Sequence, residues 1–564
     1  MRNFFEDNED ILFNFETADL ASLAALQEEN FEQRGRFPYA PENAADAVDS
    51  YRRTLAILGE LAAEFIEPRS ARVDREGSVL AADGVKYAGG IRESLDMLSK
   101  AEMMGFTLPR RYGGLNLPTL IYAIAIEIVS RADASLMNIF GLQAIAETIN
   151  DFGSDEIKER YLPLFSSGEV TGAMALTEPD AGSDLQSVRL KAALGDDGTW
   201  RLTGVKRFIT NGCADVLLVL ARSEEEEGGL GLSLFLCERG DGVKVRRLEE
   251  KLGIHGSPTC ELEFNGAPAL LIGERRRGLI TYVMSMMNGA RLAIAAQSLG
   301  IAQAAYNEAR TYAYTRVQFG VRIAQLPPVA DMLLDMRMKM EAARSLTYRT
   351  AAIVDTIRGL STAQEAPRKE IRKLERLAGM LTPMSKYYAS EMSIEVATDA
   401  VQILGGSGYM RDYPVERHLR DARITNIYEG TSQLQVVAAV RGVTSGQAEK
   451  YCASLESEAH DSGLSGKISR ARELLAEAVR YTKESEGQAY VELYARHLVD
   501  MAVGIIIGYH FLDQARSSDK KLLMAGRFIG KLLPLVRMKA DQVMSGEKSA
   551  LTDFEELAGP VPQG

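Results

Sequence analysis

The sequence predicts a mostly helical protein with a central β-barrel domain, and three observations carry that expectation. Apolar residues recur every three or four positions from about 49 to 169. Five or more short β-prone runs follow between about 170 and 280, and long helical patterns return from about 281. At 564 residues the chain is too long for one core and should hold three or four domains.

Taken in order, residues 1–48 read as an acidic, weakly patterned N-terminal extension ending in the breaker-rich RFPYAPENAA. Residues 49–169 read as an N-terminal helical domain, with YRRTLAILGELAAEFI and LIYAIAIEIVSRADASLMNIFGLQAIAETI as its wide-faced amphipathic stretches. Residues 170–280 read as the β-barrel domain, its strands being TWRLTGVKRFITNG, VLLVLA, LSLFLCE, VKVRRL and TCELEFNGAPALLI. Trp200 opens one of them as a packing residue. Residues 281–441, with GARLAIAAQSLGIAQAAYNEARTYAYT and VADMLLDMRMKMEAARSLTYRTAAIV, are long enough for a bundle of four or more helices. Residues 442–564 form a further, nearly neutral helical extension. Its apolar run near 501–512 is short of the roughly 20 residues that span a bilayer and reads as a buried helix.

Composition narrows the function. Hydrophobic residues at 46% and charged residues at 25% exclude a largely disordered chain. A net charge of −13 argues against a nucleic-acid partner. The first twenty residues carry six acids and one arginine, unlike a signal or transit peptide, so the expected location is cytoplasmic. Cys213, Cys237, Cys260 and Cys452 lack metal-like spacing, and none of the five histidines has a plausible metal partner, so no metal is expected.

Three stretches carry chemistry. In MALTEPDAGSD (174–184), Thr177, Ser183 and the amides around Gly182 cluster donors in a tight turn, suited to a phosphate or heteroaromatic edge, or simply a turn. In RFITNG (207–212), period-two alternation puts Phe208 and Thr210 on one face, where they could flank a planar ring or pack across strands. The third, QILGGSGYMRDYPVERHLRDARITNIYEGTSQLQ (402–435), has Gly405, Gly406 and Gly408 for close backbone approach. It also has SQLQ as a capping box with Ser432 as N-cap and Gln435 three residues later. Glu429 then precedes a helix N-terminus. The dipole would lower its pKa by less than about one unit, whereas burial would raise it by up to several. Buried, it is a tuned base; exposed, an ordinary surface acid.

Together, ALTEPDAGSD, RFITNG, KLGIHGSPTCELEF, GARLAIAAQSLGIAQAAYNEARTYAYTRVQFG and QILGGSGYMRDYPVERHLRDARITNIYEGTSQ, in that order over roughly residues 50–441, resemble the acyl-CoA dehydrogenase flavoproteins. The resemblance implies that family's fold, a helical domain, a β-barrel and a four-helix bundle, here in the long form with an added C-terminal helical domain. It implies FAD, held by Met174, Leu176, Thr177, Gly182 and Ser183, by Phe208, Ile209 and Thr210 around the isoalloxazine, and by Thr431 and Gln433. Arg316, Phe319, Gln402, Gly405 and Gly406 look like contacts made across a subunit interface, so a homodimer or homotetramer is implied.

By the same resemblance Glu429 is the catalytic base. It takes a proton from the carbon beside the thioester while hydride leaves the next carbon for flavin N5. Some relatives place the base just before the arginine that matches Arg291; here that position is Ala290. Ser183, Arg291, Tyr428 and Gly430 resemble substrate-channel residues. The product would be a 2,3-enoyl-CoA in fatty-acid β-oxidation, with electrons passed to an electron-transfer flavoprotein. Phe208 stands where many relatives have Trp, Met174 where many have an aromatic, Pro327 where some have Gln, and His255 where Arg is usual. The alternatives are an acyl-CoA oxidase and a non-catalytic binding relative. In long members the extension serves dimerisation or membrane attachment. Residues 523–544, amphipathic with Arg527, Lys531, Arg537 and Lys539, would either dock on the bundle or make peripheral contact with anionic lipid. The extended architecture hints at long or unusual acyl chains.

Overall fold

A computed structural model describes residues 1–37, 39–362, 366–456 and 462–562. A block of helices opens it, among them α1 (Thr119–Ala132) and α2 (Ala134–Leu142). Helix α1 is buried almost all round, because it lies between the other N-terminal helices and the bundle. Asp133 ends it and starts α2, its carboxylate accepting the Ser135 and Leu136 amides.

Seven strands follow: β1 (Gly172–Ala175), β2 (Lys191–Leu194), β3 (Trp200–Thr210), β4 (Val216–Arg222), β5 (Leu232–Glu238), β6 (Val243–Leu248) and β7 (Thr259–Ile272). Pairing runs β4–β2–β3–β7–β5 and returns from β5 to β4, closing a barrel; β1 lies parallel on β4 and β6 flanks β7. Strand β4 is an unbroken apolar run because both its faces are covered. Leu217, Val219 and Ala221 fill the barrel, while Leu218 and Leu220 pack under the helices with Leu162 and Phe165. Trp200, half-buried, packs against the barrel core on Phe235, ring centroids 5.2 Å apart.

The bundle comprises α3 (Met284–Thr315), α4 (Pro327–Thr362), α5 (Arg368–Leu404), α6 (Val415–Thr425) and α7 (Ser432–Thr444). The C-terminal helices include α8 (Ser462–Tyr481), α9 (Ala495–Ala515) and α10 (Asp519–Val543). Helix α9, which holds the apolar run, is a core helix packed between α8, α10 and the bundle. Helix α10 pairs cations with neighbouring helices: Arg527 and Lys531 with Asp331 and Asp335 on α4, and Lys539 with Asp500 on α9.

The first 48 residues are more than an extension. Short helices at Glu9–Thr17 and Leu20–Gln27, capped by Asn8 and Asp19, bury Ile11, Phe15, Leu20 and Leu23, and Phe4 and Phe5 join the main core. Helices of nine and eight residues are too short for their periodicity to register in sequence. Asp10, the buried acid of the first, pairs with Arg344 on α4 and Lys521 on α10.

Candidate functional site

The loop between α6 and α7 carries Tyr428, Glu429 and Gly430. Glu429 and Gly430 both lie in the left-handed region, at φ 54° and 89°. Such a conformation in a non-glycine residue is costly and persists only where the surroundings enforce it. Here Lys386 Nζ on α5 donates to the Gly430 carbonyl at 2.7 Å, and Gln435 Nε2 donates to the same carbonyl at 2.9 Å and to that of Glu429 at 3.2 Å. A Cβ on Gly430 would come within 2.6 Å of Gln435 Nε2, so side chain and backbone shape the turn together.

The predicted cap is displaced by one residue. Thr431, not Ser432, is the N-cap, its hydroxyl accepting the Leu434 amide at 3.4 Å. Ser432 instead donates to Glu391 at 2.5 Å, and Gln435 turns back to the loop carbonyls. Glu391 also accepts from Asn426 at 3.2 Å and from Arg496 of α9 at 2.8 Å. One carboxylate thus ties both ends of the loop to the C-terminal helices.

Glu429 lines a small cavity of about 50 Å³. Helix α2 contributes Met137, Asn138, Gly141 and Leu142, β1 contributes Met174, β3 contributes Thr210, and α3 contributes Ala290, Ala293 and Ile294 from one face. The Glu429 carboxylate takes no hydrogen bond from any described residue. Burial raises its pKa above the ordinary carboxylate range, and the charges of Lys386 and Arg291 offset part of that rise. Burial also pushes Lys386 down to about 7, against the pull of Glu429. Arg291, its pKa lowered by burial, donates to Asn288 at 3.0 Å and keeps its Nε buried without a partner among the described residues. The net direction for Glu429 is upward, as expected of a desolvated carboxylate, although the residue as a whole is half-buried. A larger cavity of about 610 Å³, between Tyr87 and Arg239, is lined by mixed charges and holds none of these residues.

The cofactor-side residues fall into two groups. Thr177 and Gly182 meet in the TEPDAGS turn, where a Gly182 Cβ would lie 3.9 Å from Thr177 Cγ2, and Gly182 and Ser183 are exposed. The acid of that motif, Glu178, is structural: it accepts from the Arg189 and Leu190 amides and from buried Lys206 at 2.9 Å. Phe208 sits on a β-bulge between Lys206 and Ile209, at φ 59° and 53% exposed. The simple alternation expected of this strand is therefore reset, although Phe208 and Thr210 still flank a buried Ile209. The side chains of Ile209 and Leu176 belong to the barrel and helix-facing cores, so only their backbones can serve a ligand.

The other group lies at one end of the bundle. Arg316 follows α3, and Phe319 and Gly320 form the tip of a hairpin at φ 54° and 79°, with Phe319 92% exposed. Gln402, Gly405 and Gly406 lie nearby on the surface, for Tyr312 of α3 contacts Tyr413 and the Ser407 hydroxyl. Gln433 is exposed on α7. His255 is held by Asp74 and the Lys251 carbonyl.

Sequence reasoning missed Lys386, Glu391, Asn138 and Gln297. The available signal was a charged or amide side chain inside an otherwise apolar helical face, as in LTPMSKYYASEM.

Comparison with known proteins adds three family models: acyl-CoA dehydrogenase N-terminal domain over residues 52–169, middle domain over 173–267 and C-terminal domain over 277–444. An acyl-CoA dehydrogenase of Bacillus subtilis is 41% identical over 345 residues, 60% of this chain and 86% of the relative. A 3-methylmercaptopropionyl-CoA dehydrogenase of Ruegeria pomeroyi is 32% identical over 556 residues, 90% of this chain and 93% of the relative. The solved structure of an acyl-CoA dehydrogenase complexed with FAD, from Bacillus anthracis, superposes with a TM-score of 0.75 at 24% identity. It covers 92% of each chain, a likeness of fold that includes the C-terminal helices.

Proposed function

The chain belongs to the acyl-CoA dehydrogenase family, and on that premise we propose that it converts a short acyl-CoA thioester to the 2,3-enoyl-CoA with Glu429 as general base. The carrying observation is a carboxylate without a hydrogen-bond partner among the described residues, on the wall of a largely apolar cavity, its pKa raised by burial. A base is most effective when its pKa lies near the working pH. Glu429 would take the proton from the carbon beside the thioester carbonyl, and the left-handed turn fixes where its carboxylate starts. Arg291 and Lys386 would hold that carboxylate ionised until substrate arrives. The cavity walls from α2 and α3, with Met137, Leu142 and Ile294, are where the acyl tail would lie in this reading, and a short tail is its simplest occupant.

FAD is the cofactor of this reading, and the residues suit it. An apolar ring kept 53% exposed on a strained bulge, beside Thr210 at the cavity wall, is a costly surface that a stacked planar ring would cover. Met174, Thr177, Gly182, Ser183, Phe208, Thr210 and Thr431, with the Leu176 and Ile209 backbones, would hold it. When bound, FAD supplies the acceptor for the hydride. Gly405 and Gly406 have nothing within 4 Å of where a Cβ would stand, room that a second subunit's cofactor would use. With Phe319 and Tyr409 (80% exposed) they make a surface suited to a homo-oligomer. The electron acceptor in this reading is an electron-transfer flavoprotein, and the protein works in the cytoplasm. Helix α10 packs on α8 and α9 and reaches the bundle through the Arg527 and Lys531 ion pairs; of its four predicted lipid-facing cations, only Arg537 lacks an acidic partner among the described residues.

Anaerobic addition of butanoyl-CoA should bleach the bound flavin, and no bleaching by any acyl-CoA would refute the reading. Slow reoxidation by oxygen in stopped flow is expected; rapid peroxide formation would make it an oxidase. Lys386→Met tests the electrostatics. Because Lys386 lowers the pKa of Glu429, its removal raises it, so the acid limb of the kcat/KM profile should move to higher pH. A uniform loss at every pH, with an unmoved limb, would reduce Lys386 to a strut for the Gly430 carbonyl.

A further inference from the structure

We propose that the acyl group selected here carries a neutral hydrogen-bond acceptor, oxygen or sulfur, in its short tail, and that Asn138 Nδ2 receives it. The inference rests on the dehydrogenase reading and deepens it. Asn138 lines the cavity and is 4% exposed, yet its Nδ2 is buried without a hydrogen-bond partner among the described residues. The amide's orientation is fixed by a short chain of reasoning. Gln297, fully buried on α3, lies 3.1 Å from the Ala134 carbonyl, which only accepts, so the atom facing it is Nε2. That same NH₂ lies 2.9 Å from Asn138, so the Asn138 atom facing it is Oδ1. The single Tyr428 hydroxyl proton is shared between Gln297 Oε1 and Asn138 Oδ1, the latter 3.1 Å away, so the orientation rests on the Ala134 carbonyl. Flipping Asn138 would set two NH₂ groups against each other, and flipping both amides would set Gln297 Oε1 against a carbonyl.

The outcome is an otherwise paired network with one donor left over on a residue that lines the cavity. Buried polar groups in native proteins are nearly always paired, so an orphan at a ligand cavity points to a ligand atom. A purely aliphatic tail would bury Nδ2 with nothing to accept from it. A tail with an ether, hydroxyl, keto or thioether atom would pair it. A carboxylate tail suits the site less well, because no lysine or arginine lines the cavity and a buried charge needs a counter-charge.

The test compares isosteric thioesters on the FAD-loaded protein: 4-methoxybutanoyl-CoA against hexanoyl-CoA, and 3-methoxypropanoyl-CoA or 3-(methylsulfanyl)propanoyl-CoA against pentanoyl-CoA. The ratio of kcat/KM within each pair is measured for wild type, for Asn138→Asp, which keeps the oxygen toward Gln297 and loses the donor, and for Asn138→Leu. Intrinsic reactivity differences cancel between wild type and variant. For at least one pair, the wild-type preference for the heteroatom chain should fall tenfold or more in the variants, since a site built to donate discriminates strongly against a partner that cannot accept. Ratios that stay the same in wild type and variants for every pair would overturn the proposal while leaving the dehydrogenase intact. If either variant fails to fold, the other decides, and if both fail, a wild-type preference for the aliphatic member of every pair overturns it. Failure of every thioester to bleach the flavin would instead refute the dehydrogenase reading, and this inference with it.

Discussion

Glu429→Gln should lower kcat by about 10²–10⁴-fold, the range that a positioned general base supplies. The substitution keeps length, shape and the left-handed backbone at φ 54°, so it isolates proton abstraction from the geometry of the loop. Flavin content and acyl-CoA binding, read from the absorbance spectrum and its perturbation by ligand, should be retained. The residual rate should lose the acid limb that Glu429 imposes on the wild type. Burial raises this group, so the wild-type rate is low when the carboxyl is protonated and climbs as pH rises through its folded pKa. Glu429→Asp should fall between wild type and Gln, because retracting the carboxylate by one methylene leaves a base that reaches poorly. A Gln variant within tenfold of wild type would remove Glu429 from the reaction.

How far the sequence foretold this site depends on which physical signals are local. The order of helices, barrel, bundle and further helices was legible because hydrophobic periodicity switches between about 3.6 and 2 residues at the barrel's edges. The barrel's closure was not, since the pairing of β4 with β5 and the single-residue meeting of β2 with β4 are tertiary facts. Glu429 was legible through its unusual neighbours, IYEGTSQ, but whether it was dry or wet was not. Its desolvation comes from α2, β1 and α3, which lie more than a hundred residues earlier in the chain. Ser432 was misread as the cap because a hydroxyl before an apolar run is a local signal, whereas the Glu391 carboxylate that claims it arrives from α5. The bulge at Phe208 was likewise hidden, since alternation assumes a regular strand. The polar pair Asn138 and Gln297 was missed entirely: in a helical pattern each looks like an ordinary polar position, and only the packing of α2 on α3 buries them together.

Arg344→Met should be the most destabilising single change outside the reaction centre. The Arg344 side chain is 1% exposed and meets three carbonyl or carboxylate groups at once. Its Nε and Nη2 donate to Glu127 on α1, Nη2 also to Gln303 on α3 at 3.1 Å, and Nη1 to Asp10 in the first helix. Tyr348 adds a hydrogen bond to Glu127 at 2.6 Å, and Lys521 of α10 pairs with Asp10 and with Glu341 at 2.7 Å. Methionine fills much of the volume, but it leaves Glu127 and Gln303 with buried acceptors short of a donor. Removing one partner of a buried ion pair costs about 3–5 kcal/mol, whereas replacing the whole set by apolar groups is often neutral. The thermal midpoint should therefore drop by a few degrees in Arg344→Met and recover part of that loss in Arg344→Met/Glu127→Gln, which removes the stranded charge. The acid side supplies a second readout. Burial pushes Asp10 up, but the charges of Lys521 and Arg344 more than offset it and hold the carboxyl below its ordinary range. A depressed carboxyl stabilises the fold above its unfolded pKa and loses that contribution as pH falls through the folded value. Without Arg344 the depression shrinks, so acid unfolding should begin at a higher pH. Because this cluster joins residues from the first helix, α1, α3, α4 and α10, its loss should loosen the first 48 residues and the C-terminal helices together, visible as faster amide exchange in both. An unchanged midpoint and unchanged exchange in Arg344→Met would mean that the termini are held by their apolar contacts alone.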